Sequence, residues 1–156
     1  MAKACVACGT KRLIHTGPFH SGLGYDSDWW NDFRFGDDIP IHPADDLYAL
    51  TKYLGNDITR IFAEEHNLEV LTFLYCHFRT REILPEERGK GIHPYVSSWE
   101  DTGEGFLYGL RAGAMPSPYE TFFMCSRLPH DKYRPDKAKR LLGWEAKDTF
   151  EELFSR

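Results

Sequence analysis

Residues 45–75 read DDLYALTKYLGNDITRIFAEEHNLEVLTFLY, a helix followed at once by a strand. Asp45 and Asp46 open the helix, because the free backbone N–H groups of a first turn favour a negative oxygen. The spacing predicts a helix to about Glu65, with Leu47, Leu50, Leu54, Ile58, Ile61 and Phe62 forming one apolar face. His66-Asn67 ends it. Leu68 to Tyr75 (LEVLTFLY) is an almost unbroken apolar run of strand formers, as expected of a strand buried on both faces. Upstream, Lys11 to Thr16 (KRLIHT) is a short apolar-centred strand introduced by Gly9. Strand, helix and strand in that order describe a parallel βαβ unit.

Outward from this unit, residues 17–45 contain GLGYDSDWWNDFRFGDDIPIHP and read as a long loop. Loops of that length inside a compact domain tend to be functional or mobile. Trp29, Trp30 and Phe33 are read as the loop's own small core, and its aspartates as a solvated acidic face, since the EF-hand spacing with a closing Glu is absent. A second stretch rich in Gly, Pro and charge runs from Arg79 to Pro94. Trp99 to Ala112 reads as helical despite Gly103, Gly105 and Gly109. Thr121 to Ser126 is a short strand. Pro135 opens a helix that runs to Leu142 and stops at Gly143, and Asp148 to Phe154 forms a final short helix. Alternating strands and helices predict an α/β layer fold.

The totals narrow the classes of function. With 156 residues, 42% hydrophobic and 15% aromatic, the chain has the size of one domain and the composition to build a core. A formal charge of -5 with scattered Lys and Arg gives no basic face for nucleic acid. No apolar run approaches the roughly 20 residues of a membrane span, and MAKACVACGTKR lacks the apolar stretch of a signal peptide, so a cytoplasmic protein is expected. Cys5 and Cys8 have CxxC spacing, but no second ligand pair follows for zinc, and no strand precedes them as in a redox motif. No metal site is expected.

Chemistry enters with Tyr48-Ala-Leu-Thr-Lys52. An i, i+4 spacing sets phenol and ammonium on one helical face, a turn apart. A free phenol titrates near ~10 and is a poor acid or base at neutral pH. A neighbouring cation favours the phenolate form, so the pair is a candidate proton-transfer device.

With its context, the sequence resembles the extended short-chain dehydrogenase/reductases, the NAD(P)-dependent epimerase/dehydratase family. The resemblance runs through TKRLIHTG, HPADDLYALTKYLGN, LEVLTFLYCHF, HPYVSSWEDTGEGFLYGLRA and RPDKAKRLLGWEAKDTFEELF, in order over residues 8–156. The last segment, with a short basic helix, Leu-Gly-Trp and a closing acidic helix, is its most specific part. SSWEDTGEG points to the uronate dehydrogenase-like members. The resemblance implies the C-terminal portion of a Rossmann-like doubly wound parallel sheet plus a small C-terminal substrate-binding subdomain. Residues 1–78 would form the second half of the core, and 79–156 the substrate-binding part.

It further implies that Tyr48 is the acid/base and that Lys52 favours its phenolate and touches the nicotinamide ribose of NAD or NADP. Tyr75 and His77, just past the next strand, fall where family members contact the nicotinamide end. Arg79, like Arg81, could meet a substrate acid group by bidentate contact. Two departures accompany these. Pro18 stands where the family carries a catalytic Ser or Thr, leaving Thr16 or Ser21 as substitutes. The glycine-rich GxxGxxG turn, which would hold the pyrophosphate at a helix N-terminus, is absent: Gly17, Gly22 and Gly24 follow a strand but run into an Asp-rich loop.

Most of the dinucleotide site is therefore expected to be missing. The chain reads as a partial enzyme acting on a sugar-like substrate, inactive alone and pairing with a missing N-terminal half or a second copy. The alternative is a non-catalytic remnant or interaction module of the same fold. A third reading makes Met1 an internal methionine of a longer frame, since MAKACVACGTKRLIH reads as the tail of a helix leading into a strand.

Overall fold

The structure, a computed structural model, describes residues 1–19, 42, 43, 45–92 and 95–155. In order these are α1 (Ala2–Ala7), β1 (Arg12–Pro18), α2 (Leu47–Glu65), β2 (Glu69–Tyr75), β3 (His77–Arg79), β4 (Val96–Ser98), α3 (Trp99–Arg111), β5 (Tyr119–Phe123) and α4 (Asp136–Leu142), with 3-10 turns at Pro85–Glu87 and Glu151–Leu153. The long loop and Ser21 lie outside the described residues.

β2 is the centre of a three-stranded sheet of order β1-β2-β5. Both pairings are parallel, with Ile14 opposite Leu71 and Phe73 opposite Phe122. Alternate side chains of β2 enter different layers. Leu71, Phe73 and Tyr75 pack with Phe122, Met124, Phe106 and Trp144 on the α3 and α4 side, whereas Val70 packs with Ala63, Leu13 and Val6 on the α1 and α2 side. A strand covered twice can be apolar at nearly every position, which is what LEVLTFLY is. The result is a doubly wound α/β sheet, as the sequence implies.

Helix α2 begins one residue after Asp46, whose carboxylate accepts a hydrogen bond from the Ala49 N–H at 2.7 Å, and it ends at His66. Its buried face is not the one the Leu and Ile spacing describes. Ala49, Asn56, Thr59 and Ala63 lie against the sheet, while Leu47, Leu54, Ile58 and Ile61 are exposed. Small residues allow the helix axis to approach the strands closely, so the larger stripe is turned outward. A period of 3.6 identifies a face, and the sheet selects the face with less bulk.

Three further boundaries differ from expectation. β5 spans Tyr119–Phe123 rather than 121–126, because its register is set by pairing to Val70–Leu74 of β2. The closing helix is only the turn Glu151–Leu153, since Phe150 adopts a left-handed φ of 53° that interrupts a helix from Asp148. β3 lies just ahead of the stretch read from Arg79, overlapping it only at that residue, and its parallel partner β4 carries the chain back beside β5 through Ser126 N–H to the Val96 carbonyl at 2.8 Å. Helix α3 runs as expected, capped by Ser98, whose hydroxyl accepts from the Asp101 N–H. α4 ends at Gly143 with φ 74°, a left-handed terminator that glycine adopts without a Cβ penalty.

Candidate functional site

The C-terminal ends of β1 and β2 open into a cavity of about 350 Å³ lined by Thr16, Gly17, Tyr48, Lys52, Tyr75, Cys76, Phe78, Trp99, Thr102 and Phe106. Parallel α/β sheets bind ligands at this end because loops diverge there and helix starts face the crevice. Each element contributes for a local reason. β1 and β2 deliver Thr16 and Tyr75 at or near their last residues. The first two turns of α2 carry Tyr48 and Lys52. The face of α3 beginning just after its cap supplies Trp99, Thr102 and Phe106.

Tyr48 and Lys52 lie together, with the Lys52 Nζ 5.5 Å from the centroid of the Tyr48 ring. Both side chains are exposed, so the pair is presented to the cavity rather than consumed in the core. Thr16 brings a hydroxyl to the same cavity from β1. Gly17 lies over the buried Asn56: a Cβ there would stand 3.0 Å from Asn56 Oδ1. Asn56 in turn receives His15, whose Nε2 is 3.0 Å from that oxygen.

Burial tunes two cavity groups. Tyr75 is 4% exposed, and desolvation holds its phenol above the ordinary range. Among the described residues its hydroxyl has no hydrogen-bond partner. Cys76 is pushed up to about 11, chiefly by burial and against a backbone hydrogen bond at Tyr95, so it lines the cavity as a neutral thiol rather than a nucleophile.

Of the residues singled out in the sequence, Thr16, Tyr48, Lys52 and Tyr75 share this cavity. His77 and Arg79 line a neighbouring groove with Thr80, Glu82, Leu84 and Glu87. Arg79 is committed there: Nη2 donates to Glu87 at 2.8 Å and to the Glu82 carbonyl at 3.1 Å, and the guanidinium lies 5.7 Å from the Phe150 ring centre. Arg81 lies 3.5 Å from Glu100 and 3.8 Å from Asp148. Trp99, Thr102 and Phe106 were not singled out as site residues. Their i, i+3, i+7 spacing after a Ser cap is the signal that marks them as one helical face. Among the described residues, no cluster of His, Cys, Asp and Glu could hold a metal ion, and no helix is long and apolar enough to cross a membrane.

No protein-family model matches the chain, and no curated protein matches it. Solved structures do. Uronate dehydrogenase from Agrobacterium tumefaciens is similar at a TM-score of 0.73 and 21% identity, over 96% of this chain and 51% of that one. A short-chain dehydrogenase/reductase superfamily protein with bound NAD, also from Agrobacterium tumefaciens, is similar at 0.71 and 14%, over 97% and 67%.

The fold is that of an extended short-chain dehydrogenase/reductase.

UDP-glucuronic acid 4-epimerase from Bacillus cereus, in complex with NAD, has the same fold at a TM-score of 0.72 and 12% identity, over 99% of this chain and 63% of that one. This chain spans about half the length of the uronate dehydrogenase. The dehydrogenase/reductase fold implies a dinucleotide, and the residues present fit only one end of it. Tyr48 and Lys52 are exposed at the cavity. The glycine-rich turn for the pyrophosphate is not in the sequence, and Gly17, the glycine among the described residues that lines the cavity, is packed against Asn56.

Proposed function

We propose that this cavity is the acid/base and substrate half of an NAD(P)-dependent dehydrogenase or epimerase acting on the hydroxyl of a sugar-like alcohol. The juxtaposition of Tyr48 and Lys52 at a strand-end cavity carries the reading. In its forward direction the Tyr48 phenolic oxygen is the acceptor for the proton of the substrate hydroxyl while the carbon loses hydride. Lys52 is the cation beside the Tyr48 ring and would hold the ribose hydroxyls. Thr16 is the hydroxyl that β1 offers to orient the substrate oxygen, in place of the family's residue at Pro18. When bound, the nicotinamide supplies the hydride acceptor. Pyrophosphate binding then has to come from outside these 156 residues.

Two surfaces support an association that would supply it. β1 has no strand beyond it among the described residues, and an unpaired apolar edge seeks pairing. On the same layer, Leu47, Leu54, Ile58 and Ile61 form an uncovered stripe. The partner is an N-terminal dinucleotide-binding half or a second copy.

The test has two parts. Calorimetric titration of the chain alone with NAD is expected to show no binding; micromolar affinity would overturn the claim that half the cofactor site lies elsewhere. Joined to an N-terminal dinucleotide-binding half, the chain is expected to reduce NAD with a sugar alcohol, and Tyr48→Phe to abolish this. Unchanged turnover in that variant would remove Tyr48 from its role. A second reading, a ligand-binding module without catalysis, is favoured by Pro18 and by the absent glycine turn. It is the outcome if the joined protein binds sugar but never reduces NAD.

A further inference from the structure

Gly17 and Asn56 meet where β1 and α2 pack against each other. A glycine inside a strand weakens it, and its presence there marks a place where another group approaches the backbone closely. The group is the Asn56 side chain, which is 2% exposed. A Cβ built on Gly17 would stand 3.0 Å from Asn56 Oδ1, 3.3 Å from Asn56 Nδ2 and 3.2 Å from Leu74 Cδ2, all tighter than ordinary van der Waals contact. The same amide holds β1 at a second point. His15 and Gly17 lie two apart on the strand and so share one face of the sheet, and His15 Nε2 is 3.0 Å from that Oδ1.

Both partners stand next to the chemistry. Thr16, which lines the cavity, lies between the two strand residues that Asn56 touches. Along α2, Tyr48, Lys52 and Asn56 follow at i, i+4 and i+8, on successive turns. The contact of Gly17 with Asn56 therefore fixes the gap between β1 and α2 one residue past Thr16 and one turn past Lys52. A ligand oxygen bonded at once to the hydroxyls of Thr16 and Tyr48 has to lie within about 2.5–3.0 Å of each. A side chain at position 17 would force its neighbours to give by a few tenths of an ångström, which is comparable with the whole tolerance of that pair of bonds. Asn56 is buried and tied to His15, so the two elements part instead of the amide turning away.

We propose that Gly17 is a positioning residue of this cavity: by admitting Asn56 against the strand backbone it sets the distance between Thr16 on β1 and Tyr48 and Lys52 on α2, and with it the place of the substrate oxygen. This rests on the reading of the cavity as a site where a sugar-like hydroxyl is held for Tyr48. Gly17 acts through the spacing of the two elements and contributes no chemical group of its own.

Titration of the full chain with methyl β-D-glucopyranoside, followed by saturation-transfer NMR well below each variant's thermal midpoint, tests it. Gly17→Ala is expected to weaken binding about tenfold, as a small misplacement of the binding groups does. Asn56→Gln enlarges the same contact from the helix side and is expected to weaken binding likewise; it carries the test if Gly17→Ala does not fold. Asn56→Ala, which also releases His15, is expected to weaken binding mildly. The double variant Gly17→Ala with Asn56→Ala should then bind no more weakly than Asn56→Ala alone, because the added methyl meets nothing once the amide is gone. A purely structural glycine would lower the midpoints and leave the affinity of the folded protein unchanged, and that outcome overturns the proposal. So does a loss in Gly17→Ala that Asn56→Ala fails to suppress, or a wild-type chain that does not bind the glucoside. The acid/base reading is decided separately, by turnover of the joined protein and its Tyr48→Phe variant.

Discussion

His15 Nε2 lies 3.0 Å from Asn56 Oδ1, joining the middle of β1 to the buried face of α2 one turn after Lys52. Because Oδ1 can only accept, Nε2 carries the proton in this contact. Desolvation is the main reason that His15 titrates below its ordinary value, the Asn56 bond opposes this, and the charge of Lys52 adds to it. The sign of the pH dependence follows. The unfolded chain protonates His15 near ~6.5, before the folded chain does, so stability is full above that value and falls as pH drops through it toward the lower folded value. Urea midpoints measured from pH 8 to 5 are expected to decline over this window. In His15→Gln the His15 share of the decline should disappear. Identical slopes in the two proteins would show that burial of this ring is not the cause.

The glycines of α3 are expected to behave in opposite ways. Gly103 is exposed, and a Cβ there would meet nothing within 4 Å. Gly103→Ala should therefore stabilise the protein by about 0.5–1 kcal/mol through helix propensity and unfolded-state entropy. At Gly109 a Cβ would stand 2.6 Å from Phe73 Cζ and 3.0 Å from Ile14 Cδ1. Phe73 is fully buried in the middle strand, and Ile14 lies on β1 beside it. Gly109→Ala should cost roughly 1–3 kcal/mol by overpacking. Thermal or chemical denaturation of the two variants gives the comparison, and equal shifts would refute the packing account.

That pair also shows where sequence reading succeeds and where it stops. Helix α3 was legible despite three glycines, and the structure adds the Ser98 cap that starts it. Why Gly109 is glycine was not legible, since Phe73 and Ile14 are brought to it by the sheet. The same holds on α2. Tyr48, Lys52 and the helix bounds are local facts of spacing and capping, so the sequence reveals them. Which stripe is buried depends on the space above β1 and β2, and Ala49, Asn56, Thr59 and Ala63 fit there where Leu54 and Ile58 do not. β3 escaped notice because three residues make no periodic pattern; only its partner β4, seventeen residues on in sequence, defines it.

The C-terminal segment hangs on one carboxylate. Asp101 is 1% exposed, and its oxygens accept from the Lys147 N–H at 3.0 and 3.1 Å and the Asp148 N–H at 3.0 Å, while its carbonyl accepts from Trp144 Nε1 at 3.2 Å. Asp101→Ala removes a charged acceptor from two backbone donors and should cost about 2–4 kcal/mol. The segment around 147–153 is expected to open first. Limited proteolysis should then cut at Lys147 well before the sheet unfolds, and an unaltered digestion pattern would contradict this.

The exposed stripe of α2 yields the last prediction, because large apolar side chains stand uncovered there among the described residues. Ile58 is 53% and Leu54 49% exposed, so Ile58→Glu should alter the stability of the folded single chain by no more than about 0.5 kcal/mol, the usual range for a surface position. If the stripe is the contact for the partner proposed above, the same change places a charge in an apolar interface and abolishes association. Sedimentation velocity on the wild-type chain is expected to show concentration-dependent self-association, or a complex once an N-terminal half is added, and Ile58→Glu to leave a monomer in both cases. A wild-type chain that is monomeric under both conditions, or an Ile58→Glu variant that associates as before, would place the contact elsewhere and leave the open edge of β1 as the surface to examine by the same measurement.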